Sequence, residues 1–120
     1  MSDDTIESHE YRYPLYRFDR DDLSGYIDMV VNPDGLMVED YTVGKSTEIF
    51  FGREDHEYTV SLNRDKAEKV LNAYGISPGI YPAEKLALRF AERYTGDSCA
   101  ASKFKEVVES AGVKPEVFVW

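Results

Sequence analysis

Hydrophobic and polar side chains alternate with a period of two through much of the first half of the chain, a pattern that predicts β-strands. The first predicted strand is the aromatic-rich run Tyr11 to Phe18. Pro14 lies within it and favours an edge or bulged strand, because proline cannot donate a hydrogen bond to a neighbour. The large side chains are expected on two sides of this strand, with Tyr11, Tyr13 and Leu15 on one and Tyr16 and Phe18 on the other.

A hairpin is predicted next, formed by the segments Tyr26 to Val31 and Leu36 to Val43. They flank the sequence Asn32-Pro33-Asp34-Gly35, which has the composition of a turn. Proline presets one of the turn torsions, and glycine accepts a positive φ. The sequence therefore predicts a strand, a tight turn and an antiparallel strand.

A second hairpin is expected to pair Thr47 to Phe51 with Glu57 to Leu62 across a polar connection, residues 52–56. Side chains on a strand alternate between its faces. In the second strand of this hairpin, Tyr58, Val60 and Leu62 are therefore expected to face the core, and Glu57, Thr59 and Ser61 to face outward.

At Asn63 the hydrophobic period changes from two to about 3.6, which predicts a helix capped by this asparagine. A second helix is predicted from Ala83 to Tyr94. A third begins near Asp97 or Ser98 and ends at Gly112. The apolar stripes of the three helices are, in chain order, Ala67, Val70, Leu71 and Tyr74; Leu86, Phe90 and Tyr94; and Ala101, Phe104, Val107, Val108 and Ala111.

The segment Val113 to Trp120 reads as a returning strand, at an edge because of Pro115. Strands followed by helices predict an α+β fold: a mostly antiparallel sheet of about five strands, with three helices packed on one face. The other sheet face is then left for water, a partner or a second copy. We expect Trp120 to pin the returning strand to the core, so that its deletion destabilises the fold.

Residues 1–8 are polar and acidic, which predicts a disordered segment before a single α+β domain at 9–120. The segment from Met1 to Glu10 lacks the basic start and apolar stretch of a secretory signal, and no apolar run is long enough to span a membrane. The single cysteine, Cys99, cannot form an internal disulfide. We therefore expect a cytoplasmic protein.

Negative charge is concentrated in the first half of the chain. Through Val60 there are five Lys and Arg residues against fifteen Asp and Glu, whereas the second half has nine against eight, and the whole chain has a formal net charge of −9. The negative electrostatic field of such a chain favours basic partners and disfavours nucleic acid and anionic membranes. Solubility alone is the competing explanation for an acidic chain.

Short motifs for nucleotide and metal binding are incomplete. Gly44-Lys45-Ser46-Thr47 resembles the end of a phosphate-binding loop, but Glu39 occupies the position of its first glycine and a strand is expected to follow. The run with Asp19, Asp21 and Asp22 resembles the start of a calcium loop but lacks the closing glutamate. We therefore expect no metal and no cofactor.

Three functional hypotheses follow from these features. The first is a non-enzymatic protein-binding module whose acidic sheet surface docks a basic protein, with exposed tyrosines such as Tyr16, Tyr26 or Tyr41 as anchors. In size, charge and layout the chain resembles small acidic immunity or antitoxin proteins, although no motif residue supports this resemblance. The candidate partner-binding residues are Asp19, Asp21, Asp22, Asp28, Glu39, Asp40, Tyr41, Glu54, Asp55 and Glu57.

The second hypothesis is a small-molecule enzyme with a cleft between sheet and helices, in which His56 or Cys99 and a carboxylate act on the substrate. The third is a homo-oligomeric structural subunit. In it, an edge strand, either Tyr11 to Phe18 or Val113 to Trp120, pairs with the same strand of another copy.

Overall fold

The computed structural model describes residues 10–44 and 55–120. The predicted disordered segment 1–8 and the predicted strand Thr47 to Phe51 lie outside these residues. The described strands are β1 (Tyr11–Arg20), β2 (Leu23–Asn32), β3 (Gly35–Gly44), β4 (Asp55–Asn63) and β5 (Glu116–Val119). Between β4 and β5 lie the helices α1 (Arg64–Ala73), α2 (Pro82–Tyr94) and α3 (Ala100–Ser110).

The five strands form one antiparallel sheet in the order β1-β2-β3-β4-β5. The chain crosses this sheet strand by strand, builds the three helices, and returns to pair β5 with β4. This arrangement confirms the predicted α+β fold. Within the described ranges, no helix combines the length and the apolar character needed to span a membrane.

The two faces of the sheet differ in what covers them. Directly opposed residues on neighbouring strands lie on the same face. One face carries rows such as Met29, Val38 and Val60, all completely buried in the core. The same core contains the apolar stripes of all three helices, so we call this side the inner face and the opposite side the outer face.

The predicted turn between β2 and β3 is confirmed, since Asn32 and Gly35 face each other across Pro33 and Asp34. The Asn32 side chain accepts a hydrogen bond of 2.9 Å from the Asp34 N–H. The reason given for the glycine was wrong, because Gly35 does not have a positive φ. A Cβ at this position would collide with the Leu62 carbonyl oxygen, so glycine is needed for the close approach of β4.

The predicted second hairpin is only half described, because Thr47 to Phe51 lies outside the described residues. The other half, Glu57 to Leu62, lies in β4, which pairs with β3 on one side and with β5 on the other. The expected orientation is confirmed, because Val60 and Leu62 are buried and Tyr58 packs against the core.

A bulge in β1 changes the expected distribution of its aromatic side chains. The register shifts between Pro14 and Tyr16, so that Tyr13 opposes Met29 and Tyr16 opposes Ile27. Both partners belong to the inner face, so the two tyrosines lie on the same side rather than on opposite sides. A single extra residue moves every later side chain of the strand to the opposite face of the sheet.

The helices begin and end close to their predicted positions. Asn63 caps α1, and its side chain accepts a 2.8 Å hydrogen bond from the Lys66 N–H. Pro82 opens α2, where the missing N–H of proline has no cost. Before α3, the Asp97 side chain accepts a 2.7 Å hydrogen bond from the Cys99 N–H and also pairs with Lys103.

Candidate functional site

Strand alternation collects charged and aromatic side chains from all five strands on the outer face. The pairing registers define two neighbouring rows across the sheet. Backbone hydrogen bonds of 3.0 and 2.8 Å between Glu57 and Trp120 extend the first of them beyond β5. The first row is Arg17, Tyr26, Tyr41, Glu57 and Trp120, and the second is Asp28, Glu39, Thr59 and Phe118.

Two arginines of β1 reach across the outer face to carboxylates on β2 and β3. The Arg12 guanidinium donates to Glu39 Oε1 at 2.7 Å and to Asp28 Oδ2 at 3.2 Å. Its pairing with Glu39 raises the pKa of Arg12. Arg17 Nη2 lies 2.6 Å from Asp28 Oδ1, an ion pair without hydrogen-bond geometry. The four side chains therefore neutralise one another within the fold.

This network changes the interpretation of two candidate residues. Asp28 is buried, and the Glu39 side chain is only 12% exposed. Both carboxylates already have arginine partners, so they hold Arg12 and Arg17 in place and offer little surface to another protein. The sequence prediction proposed Asp28 and Glu39 as partner-binding residues, and the structure places both in this ion-pair network.

Next to this network, tyrosines line a shallow depression. Arg17 stacks over the Tyr26 ring at 5.1 Å, and the rings of Tyr26 and Tyr41 are 5.6 Å apart. Burial, followed by the proximity of Glu39, raises the pKa of Tyr26. The depression has a volume of about 320 Å³, and Arg17, Asp19, Ser24, Tyr26, Tyr41 and Val43 contribute to its walls. It is large enough for one side chain of a partner.

Carboxylates adjoin this depression at the same end of the sheet. Asp19 and Asp55 lie on the outer face in the row of Ser24 and Val43, and the Tyr41 hydroxyl is 3.5 Å from Asp55 Oδ2. Glu57 occupies the neighbouring row. We call Asp19, Tyr41, Asp55 and Glu57 together the acidic strip.

The surroundings of Glu57 disfavour its charged form. Burial raises the pKa of Glu57, the charge of Glu39 and a hydrogen bond with it raise the pKa further, and Asp55 adds to this, while Arg12 lowers it. The ionised form of Glu57 is therefore less stable here than in water. A cation supplied by a partner would stabilise the ionised form.

Two large aromatic side chains flank the strip on the β5 side. Phe118 is 54% exposed and Trp120 is 45% exposed, and both lie on the outer face. Trp120 was expected to pin β5 to the core, but its side chain faces away from the helices. Its backbone hydrogen bonds with Glu57 are what fasten the end of β5.

The remaining candidate residues do not all join this surface. Asp21 and Asp22 lie in the exposed turn between β1 and β2, at the same end of the sheet as the acidic strip. Asp40 opposes Ile27 and Tyr58, so it lies on the inner face instead, where burial raises its pKa. Glu54 lies outside the described residues.

A larger cleft of about 470 Å³ opens at the other end of the sheet, where α2 begins. Its walls are mainly apolar and include Tyr11, Ile80 and Tyr81. Among the described residues that line it, neither His56 nor Cys99 is present. The cleft does not bring together the groups that the enzyme hypothesis requires, and that hypothesis stays a prediction.

Sequence reasoning missed the arginines and the β5 aromatics of this surface. Arg12 and Arg17 meet carboxylates that are at least ten residues away along the chain, which only the strand register reveals. The sequence did hold one indication of Phe118, since it alternates with Val117 and Val119 in the returning strand. Comparisons with protein-family models, with curated proteins and with solved structures found no match for this chain.

Proposed function

We propose that this protein is a non-enzymatic binding module whose acidic strip docks a basic surface of another protein. One observation supports this most directly: Asp19, Asp55 and Glu57 share one end of the outer face, while Arg12 and Arg17 are engaged by Asp28 and Glu39. Negative potential of this kind steers a basic partner and accelerates association.

Affinity would come from aromatic contacts beside the strip. Trp120, Phe118 and Tyr41 are the residue types that dominate binding energy at protein interfaces or fill their centres. The depression beside Tyr41, whose wall includes Arg17, offers room for one side chain of the partner. The carboxylates of the strip and the exposed Trp120 ring match the chemistry of arginine and lysine, whose cations are attracted both to carboxylates and to ring faces.

The resemblance to acidic immunity and antitoxin proteins, in size, charge and layout, suggests one class of basic partner, namely a toxin. It stays a hypothesis, because it specifies no residue of the strip. The proposal itself requires only a basic protein surface.

A triple variant tests the proposal: Asp19→Asn, Asp55→Asn and Glu57→Gln. The tagged wild-type protein and the variant would be used for affinity purification from the native host at low and at high salt. We expect the wild type to retain a basic protein at low salt and release it at high salt. Since exposed charge pairs contribute about 0.2–1 kcal/mol each, we expect the triple variant to bind that protein about tenfold more weakly.

A matched control removes the same number of carboxylates elsewhere. Glu68→Gln, Glu92→Gln and Glu106→Gln change exposed positions on the three helices and leave the sheet untouched. The proposal requires this control to bind the partner as the wild type does. Equal loss of binding in both triple variants would show that net charge alone drives capture, and undiminished binding by the strip variant would contradict the proposal.

A further inference from the structure

The edge strand β5 is exposed along its whole length. Its four residues include Val117, Phe118 and Val119, which are 43%, 54% and 60% exposed, and one charged residue, Glu116. An apolar edge strand is a template for pairing with another chain, because its outward N–H and C=O groups lack strand partners. In the described sheet, β5 pairs with β4 alone.

The opposite edge of the sheet is protected against such pairing. In β1, Pro14 and the adjacent bulge interrupt the outer edge, and Arg12 and Arg17 add charge. The Leu15 carbonyl accepts a hydrogen bond of 2.6 Å from the Gly96 N–H. Proline, bulges and charges are the features by which proteins prevent edge pairing. Within β5 itself there is no proline, bulge or basic residue.

The pairing with β4 shows which backbone groups of β5 point outward. Trp120 exchanges both backbone hydrogen bonds with Glu57. Along an antiparallel strand, such hydrogen-bonded positions alternate with positions whose N–H and C=O point to the other side. The groups of Phe118 therefore face β4, and those of Val117 and Val119 face outward.

We propose that β5 pairs antiparallel with β5 of a second copy of this chain, about a two-fold axis through Phe118. In this register Val117 of one copy opposes Val119 of the other. All four outward groups of each strand then form hydrogen bonds, two N–H donors and two C=O acceptors per copy. The two sheets join into one, and the inference does not depend on the proposed function.

Competing registers satisfy fewer of these groups. An axis through Val117 would place Val119 opposite Pro115, which has no N–H to donate. The side chains also fit the register centred on Phe118, since Val117 meets Val119 on the inner side and Phe118 meets its own copy on the outer side.

Charge within β5 itself does little to oppose this pairing. Glu116 is the one charged residue of β5, and it would face Trp120 of the other copy. The two Glu116 positions are then separated by four residues, roughly 13 Å at the usual rise of a strand. At that distance, salt largely screens the repulsion between exposed charges.

Cysteine cross-linking tests the register. In a Cys99→Ser background, Phe118→Cys places two thiols opposite each other at a non-hydrogen-bonded pair, where the Cα separation of about 4.5 Å suits a disulfide. The control is Val117→Cys, which faces Val119 instead of its own copy. With oxidised glutathione, we expect Phe118→Cys to form the disulfide-linked dimer about tenfold faster or more. Equal rates for the two variants would overturn the proposal.

Sedimentation of the unmodified protein provides an independent measurement. The β5–β5 contact between the two copies is short, so we expect a reversible dimer. The average mass in solution should rise from 13.7 kDa toward twice that value over a concentration series. Val119→Pro removes an outward N–H and leaves the pairing with β4 intact, so it should abolish the dimer with little change in melting temperature. A wild-type mass that stays at 13.7 kDa, or a dimer that survives Val119→Pro, would contradict the proposal.

Discussion

Replacing Phe104 with alanine is expected to lower the free energy of unfolding by about 3–5 kcal/mol, a large share of the total for a domain of this size. The Phe104 side chain is completely buried where α3 meets the rest of the core. Its ring meets the Phe90 ring edge-on, with 5.0 Å between centroids. Alanine would remove this contact and leave a cavity that surrounding side chains fill only partly.

Urea denaturation measures this loss directly. The matched control is Leu88→Ala on α2, because Leu88 is 45% exposed and its removal should change the free energy of unfolding by about 0.5 kcal/mol or less. Similar losses for the two variants would mean that α3 does not pack on the sheet as described.

Replacing Arg12 with methionine is expected to lower the free energy of unfolding by about 2–3 kcal/mol at neutral pH. Breaking a buried ion pair costs about 3–5 kcal/mol, and the cost is smaller here because the Arg12 side chain is 44% exposed. Methionine retains much of the apolar stem of arginine but leaves Asp28 and Glu39 without its charge. Both carboxylates are largely withdrawn from water, so they would repel each other.

A second substitution separates charge from packing. Glu39→Gln removes one of the two opposed carboxylates, so Arg12→Met should lower the free energy of unfolding less in a Glu39→Gln background than in the wild type. Arg89→Met, at an exposed position of α2, is the control and should show almost no change in either background. An equal loss for Arg12→Met in both backgrounds would assign the role of Arg12 to packing instead of charge.

The sequence was sufficient to predict the helices and the first hairpin, because local features determine them. Asn63 caps α1, and the residues from Asn32 to Gly35 are typical of a tight turn. The effect of the β1 bulge on side-chain orientation was not predictable. Pro14 indicated an irregularity, but it did not show where the extra residue would fall. A shift of one position decides which face every later side chain occupies.

The candidate site was predictable only in part, for the same physical reason. Alternation along β4 correctly placed Asp55 and Glu57 on one face. Asp28 and Glu39 looked equally suitable in the sequence, yet Arg12 from another strand neutralises them. The register across several strands decides which carboxylates form ion pairs within the protein. A single sequence does not reveal this register.

The orientation of β5 connects the fold to both proposals. Its pairing with β4 places Phe118 on the outer face beside the acidic strip and turns the groups of Val117 and Val119 toward the free edge. A partner on the outer face and a second copy on the edge would both contact the Phe118 side chain, whereas the outward backbone groups of Val117 and Val119 would bind only the second copy. The strip variants leave β5 unchanged, and Val119→Pro leaves the strip unchanged, so the two proposals can fail separately.

The most direct test of the acidic strip is an NMR titration of the ¹⁵N-labelled protein with an arginine-rich peptide at low salt. We predict the largest shifts at the indole N–H of Trp120 and at the amides of Asp55 and Glu57, and their loss in the triple strip variant. Shifts at Glu68, Glu92 and Glu106 that equal those of the strip would show that the peptide senses only overall charge. That result would contradict a dedicated binding surface on the outer face.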